Sequence, residues 1–268
     1  MAADPNLTTT PAALHLQPGF SFRQALVRQW RDGVRHYGLW RTLKEEIEAL
    51  LRCARESLPD RREARYGDMD YDRENMVDTT RANVPFRTQL AIALTGHAYY
   101  ASEPYLFEQI MQALPIDFSR FSFIDLGSGK GRALMMAAGC GFRQAIGVEY
   151  IPALHRVAQQ NIRKFAREHR DLKTQMESLC MDARDFEFPA EPLVLYLFNP
   201  FSEPVFAAVL DRLQRSITGS QRPVYIAYRY LEFEPLLARC DWLEKIAGTE
   251  QWAVYRIHRD HAAIPAIT

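Results

Sequence analysis

Cysteine, lysine and net charge are scarce in this 268-residue chain. The four cysteines, Cys53, Cys140, Cys180 and Cys240, lie far apart and form no CxxC pair. That excludes a zinc site of the finger type and a disulfide framework, and it predicts a reducing compartment, the cytoplasm. The seven histidines show no HxxxH spacing, so no metal site is expected. Lys and Arg total 33, as do Asp and Glu, and a chain without a net positive field has little with which to release counterions from a polyanion. Only five of the basic residues are Lys and 28 are Arg. Codon usage can produce that bias, but Arg also suits bidentate carboxylate pairing and aromatic stacking. No stretch reaches the roughly 18 apolar residues of a membrane span. The first twenty residues carry neither the basic nor the apolar region of a secretory signal.

What is present is ordinary globular composition, 47% hydrophobic and 25% charged. Residues 1–20, rich in Thr, Pro and Ala, read as a tail. Residues 21–95 read as a helical extension. Phe22, Leu26, Trp30, Val34 and Tyr37 recur at helical spacing, and after Gly38 a second stripe holds Trp40, Leu43, Ile47, Leu50 and Cys53. Both stripes are expected to pack on the main domain. Charge segregates here: residues 20–62 carry ten basic and six acidic side chains, and residues 63–78 carry two basic and six acidic. The alternative is a basic amphipathic helix that meets a membrane or an acidic partner.

Residues 96–268 read as the core. Ser102 can cap a helix with Pro104 in its first turn, with Tyr105, Ile110, Met111 and Leu114 facing inward. From Phe123 the pattern alternates between apolar strands (123–126, 145–149, a strand ending at 180, 193–198, 223–230) and helices (130–140, 152–169, 203–217). Strands at 243–247 and 252–258 are spaced to pair antiparallel. This predicts an α/β fold, a doubly wound and mostly parallel seven-stranded sheet with an N-terminal helical extension.

The stretch Asp125-Leu126-Gly127-Ser128-Gly129-Lys130-Gly131-Arg132 joins the first core strand to the following helix. Glycines there permit a sharp turn and close approach of a ligand. A P-loop reading fails, because Gly131 follows Lys130 and Ile124 stands where the first Gly should be. A dinucleotide fingerprint is weakened by Arg132 at its third small position. Glu149 ends the second strand, 18 residues after Gly131, where a carboxylate can accept both hydroxyls of a ribose. Asp182 follows the third strand, and the fourth runs into Asn199-Pro200-Phe201.

Acid-x-Gly-x-Gly-x-Gly (Asp125, Gly127, Gly129, Gly131), with Glu149, Asp182 and Asn199-Pro200-Phe201 in register, resembles the class I S-adenosylmethionine-dependent methyltransferases. Within residues 97–258 it is most like bacterial members of unassigned substrate, and more loosely like non-SET lysine methyltransferases. The resemblance implies S-adenosyl-L-methionine as cofactor. It assigns Asp125, Gly127, Ser128, Gly129, Gly131, Glu149 and Asp182 to cofactor binding, with Asp182 at the adenine edge. Tyr100, Ser102 and Glu103 match an upstream segment that folds over the methionine end. Asn199, Pro200 and Phe201 match the substrate-side motif. Asn199 can accept from an amine N–H through its carbonyl, and Tyr99, Tyr100, Tyr105, Tyr228 and Tyr230 are candidates for an aromatic wall. Nitrogen-methylating nucleic-acid enzymes carry a second Pro before the aromatic, so the single Pro200 and the neutral charge argue against a nucleic-acid substrate. The expected acceptor is a nitrogen of a protein side chain or of a small molecule. The alternatives are a non-catalytic protein-binding module and a nucleotide-cofactor oxidoreductase.

Overall fold

A computed structural model describes residues 20–56, 69–80, 84–94, 99–198, 201–218, 220 and 222–258. Four helices come first: α1 (Phe22–Tyr37), α2 (Leu39–Glu56), α3 (Met69–Glu74) and α4 (Phe86–Leu94). After α5 (Pro104–Gln112), strand and helix alternate through β1 (Ser122–Leu126), α6 (Arg132–Gly139), β2 (Gln144–Glu149), α7 (Pro152–Glu168), β3 (Gln175–Cys180), β4 (Leu193–Phe198), α8 (Glu203–Ile217) and β5 (Val224–Arg229). The chain closes with α9 (Glu234–Ala238), β6 (Leu243–Gly248) and β7 (Trp252–Ile257).

The seven strands form one sheet in the order β3-β2-β1-β4-β5-β7-β6. The first five are parallel, and β7 runs antiparallel to both β5 and β6. A chain that starts in the middle at β1, winds outward to β3 and returns to β4 is doubly wound, and its ligands bind beyond the carboxyl ends of the strands where the winding reverses.

Two cores explain why these segments are strands. In β4, Leu193, Leu195 and Leu197 face α8 and its buried Phe206, Val209 and Leu213, while Val194 and Tyr196 face α5 and α6 on the other side. β5 divides in the same way, Val224, Ile226 and Tyr228 against Tyr225 and Ala227. A strand covered on both faces must be apolar at every position, and β4 is. Helix α8 spans 203–217 as its pattern predicts, with Pro204 in its first turn.

Three local expectations are corrected. Ser102 does not cap α5: Glu103 holds the N-cap position, and the Ser102 hydroxyl accepts from Tyr196 Oη at 3.0 Å. Tyr105 faces solvent while Ile110, Met111 and Leu114 are buried, because only one side of α5 meets the sheet. The stripe of α2 does not pack inward either. Among its described side chains Thr42 and Ala49 are the buried ones, and Trp40, Leu43, Ile47 and Leu50 are exposed. The side chain of Cys53 lies outside the described residues.

Candidate cofactor and acceptor site

Strand β1 ends in the glycine turn. Gly127 N and Ser128 N both donate to Val148 O of β2, at 2.8 and 3.1 Å. Gly127, Gly129 and Gly131 take φ values of +85°, +55° and +86°, conformations open to glycine at little cost. At Gly129 space is denied as well, because a Cβ would run into the ring of Tyr99. The resulting surface is bare backbone at the head of α6.

Glu149 closes the turn from the β2 side. One carboxylate oxygen accepts from Gly129 N and the other from Ile151 N, both at 2.7 Å. The group is buried, and burial pushes its pKa up to about 7 against the pull of these N–H donors. Asp125, also buried, is pushed up to about 8 by burial and then by the Glu149 charge. Both groups therefore keep protons in the folded state that the unfolded chain releases near pH 4–5. Since the native state binds more protons, its stability falls as pH rises from about 5 towards 8. Melting of the ligand-free protein is expected to drop by several degrees between those pH values, with Asp125→Asn recovering part of the loss. A flat wild-type profile would contradict the burial of these charges.

Asp182 follows β3 and is buried. Its Oδ1 accepts from Arg184 N and Arg184 Nε, each at 2.9 Å. Arg184 also donates to Asp32 of α1 at 2.5 Å, and Arg28 of α1 donates to both Asp185 oxygens at 2.9 Å. Two arginines thus fasten α1 beside the carboxyl end of β3. Two hydroxyls nearby, Ser128 Oγ and Tyr150 Oη, are buried and have no hydrogen-bond partner among the described residues. A buried polar group without a partner is costly, and hydroxyls beside acids suit a polar ligand such as an adenosine. The residues of this half therefore fit S-adenosylmethionine.

A strap crosses the strand ends. The Tyr99 ring covers Gly129 after β1, Ser102 meets Tyr196 of β4, and Glu103 approaches Arg229 of β5 at 3.5 Å. Tyr100 is exposed and Ser102 buried. Arg229 lies over the Phe198 ring at 5.2 Å, and Tyr230, next to it, is exposed with φ +67°. A bulky residue held in that region is an outlier that surrounding structure must impose. Phe201 packs partly buried against the core. Asn199 and Pro200 lie outside the described residues.

Several residues of the site escape a reading by motif. Lys130 Nζ, buried, donates to Asp78 Oδ1 and Thr80 O, both at 2.8 Å. Arg132 donates to Thr79 Oγ1 at 2.6 Å and Asp72 Oδ1 at 3.2 Å, and its guanidinium lies over Tyr71. Asp72 in turn accepts from Thr79 N, Thr80 N and the Thr79 hydroxyl. The opposite charges in 63–78 and in the glycine turn were the available signal. Among the described residues no group of three or more His, Cys, Asp or Glu could hold a metal ion, and no helix is long and apolar enough to cross a membrane.

The family model of protein-L-isoaspartate(D-aspartate) O-methyltransferase matches residues 64–184. That stretch holds α3 to β3 and the glycine turn, and it stops before β4. No curated protein matches the chain. Among solved structures, an RNA methyltransferase from Salinibacter ruber in complex with S-adenosyl-L-homocysteine is 20% identical. It aligns over 63% of this chain and 96% of its own, with a TM-score of 0.43. The PH0226 protein from Pyrococcus horikoshii OT3 is 16% identical over 57% of this chain and 88% of its own, with a TM-score of 0.42. A ribosomal protein L11 methylase from Lactobacillus delbrueckii subsp. bulgaricus is 14% identical over 58% and 76%, with a TM-score of 0.39. Likenesses this distant carry no weight for the acceptor. Over residues 64–184, which hold the turn and both acids that the geometry brings together, the chain is similar to this methyltransferase family.

Proposed function

We propose that the chain is a class I S-adenosylmethionine-dependent methyltransferase that methylates a nitrogen of a protein side chain or of a small molecule, taken up at the carboxyl ends of β4 and β5. The observation that carries this reading is the trio of exposed tyrosines there. Tyr100 and Tyr105 flank Glu103, and Tyr230 follows its partner Arg229. Aromatic faces attract an ammonium by cation–π interaction, and Glu103 adds a negative charge. The matched family is named for a carboxyl acceptor, but its match ends at residue 184 and leaves this mouth uncovered. Neutral overall charge and the single Pro200 speak against nucleic acid. Cys140, Cys180 and Cys240 are free thiols, which supports work in the cytoplasm.

The cofactor, when bound, supplies a methyl group activated by a sulfonium. The chain's own residues supply position. Glu149 would accept from ribose hydroxyls, Asp182 with the Ser128 and Tyr150 hydroxyls would meet the adenosine, and the 99–103 strap would cover the methionine end. Asn199 would accept an N–H of the acceptor and so orient its lone pair, with Phe201 walling the pocket.

Incubating the enzyme with methyl-labelled cofactor and a cell lysate tests this directly. Label is expected in protein or in small amines, at bonds that resist mild alkali. Label in nucleic acid, or only in base-labile carboxyl esters, would overturn the nitrogen reading. Tyr230→Ala is expected to raise KM for the acceptor about tenfold, one to two cation–π contacts' worth, with cofactor affinity unchanged.

A further inference from the structure

Helix α2 turns its apolar face outward. Its small residues, Thr42 and Ala49, point to the protein, and its large apolar ones point away. Trp40 is 81% exposed and Leu51 53%, with Leu43, Ile47 and Leu50 on the same face. Helix α1 continues the surface with exposed Val27 and Trp30. Soluble monomers rarely leave a contiguous apolar face of this kind uncovered.

The charges around it say what covers it. Arg23, Arg31 and Arg35 of α1 are exposed, and the acid of that helix, Asp32, is engaged by Arg184. Arg41 and Lys44 of α2 are exposed as well, but Glu45, Glu46 and Glu48 of the same helix offset them, so the excess of positive charge lies on α1. A two-fold dimer would set this patch against itself, bringing its arginines together at a cost in repulsion. An anionic bilayer surface complements it. An apolar face bearing Trp, with Arg and Lys beside it, is the pattern of a helix lying in the headgroup region. Nothing here needs a membrane-crossing helix, and none is found among the described residues.

We propose that α1 and α2 form a peripheral membrane-binding surface for anionic lipid, with α2 lying in the plane of the bilayer interface. The face is remote in sequence from the glycine turn, and the inference stands independently of the acceptor. It also draws the enzyme to where an acceptor at the bilayer would be found.

The test is sedimentation of the full chain with vesicles of phosphatidylcholine alone and with one-quarter phosphatidylglycerol. Binding is expected to be at least tenfold tighter to the anionic vesicles and to weaken with salt. Arg31→Glu/Arg35→Glu should weaken it more than tenfold, since each basic residue at the surface is worth about fivefold. Trp40→Glu/Leu51→Glu should abolish it, and both variants should still bind S-adenosylmethionine, which separates lost docking from lost folding. Tryptophan emission should shift to the blue on binding, and that shift reads Trp30 and Trp40 because Trp242 and Trp252 are already buried. Absence of vesicle binding by the wild type overturns the proposal. So does binding untouched by Trp40→Glu/Leu51→Glu, or a dimer in light scattering that this variant dissolves while vesicles leave the wild type unbound.

Discussion

Glu149→Ala is expected to weaken S-adenosylmethionine binding about 100-fold, measured by titration calorimetry, while the far-ultraviolet circular dichroism stays that of the wild type. The carboxylate makes two short bonds to backbone N–H groups, from Gly129 and Ile151. Charge-assisted bonds of this kind contribute about 1.5–3 kcal/mol each, and tenfold in affinity corresponds to about 1.4 kcal/mol. Removing the group leaves Gly129 N without its acceptor, though Gly127 and Ser128 still hold the turn to Val148 O of β2, and removes the acceptor proposed for the ribose. Protonation has the same direction of effect. With its pKa pushed up to about 7, Glu149 loses its charge as pH falls below that value. Affinity should then fall by about tenfold per pH unit in the acid range. Glu149→Gln, which has no charge to lose, should bind weakly at every pH with that slope removed. A loss of less than tenfold in Glu149→Ala would mean that the turn and not the acid holds the cofactor.

The sheet was largely legible because its strands are short and buried on both faces. Leu193–Phe198 offers no polar position, so neither a helix nor a half-exposed strand explains it. The glycine spacing located the end of β1, and Pro at the start of α7 and α8 located their first turns. Periodicity could not say which side of a helix finds a partner. The α2 stripe has helical spacing, yet the buried side chains among those described on that helix are Thr42 and Ala49. A stripe reports that a face is apolar, and only the fold reports whether the protein or something else covers it.

The site was legible where chemistry constrains residue type. A buried carboxylate at the end of β2 beside a glycine turn has few structural uses, and Glu149 stands where its spacing from Gly131 put it. Asp182 is less simple. It is at the expected strand end, but Arg184 from its own turn engages it, and Arg184 connects it to Asp32 of α1, 152 residues before that arginine in the chain. Long-range pairings of this sort leave no local signature. The scarcity of Lys does acquire a partial structural counterpart. The residues that bind the helical region to the core are mostly arginines, Arg28, Arg132 and Arg184, each reaching several acceptors with one planar group.

Arg132→Ala is expected to lower the unfolding free energy by about 3–5 kcal/mol, the cost of removing one partner from a buried ion pair. Arg132 is 3% exposed and Asp72 9%, so water cannot replace the lost contact. Asp72 would keep the two backbone donors of Thr79 and Thr80 at 2.7 and 2.9 Å, which favours the lower end of that range. Thr79 Oγ1 and the Tyr71 face would lose their cation, and the 69–80 segment should become the first site of proteolysis. Urea unfolding of the wild type, both single variants and Arg132→Ala/Asp72→Ala forms a double-mutant cycle, with an expected coupling of about 1–3 kcal/mol. Arg132→Met/Asp72→Leu, which replaces the pair by apolar groups, should regain most of the stability. If it does so while S-adenosylmethionine affinity stays low, the pair serves to hold the strap-side segment in register with the glycine turn. A single Arg132→Ala loss below about 1 kcal/mol would instead show that Lys130, through Asp78 and Thr80, and Asn161, through the Asp78 backbone, carry the attachment. In either case the arginine that breaks the dinucleotide fingerprint has its explanation in the fold: it stands at the head of α6 because the acidic segment before the core needs a buried cation to dock on.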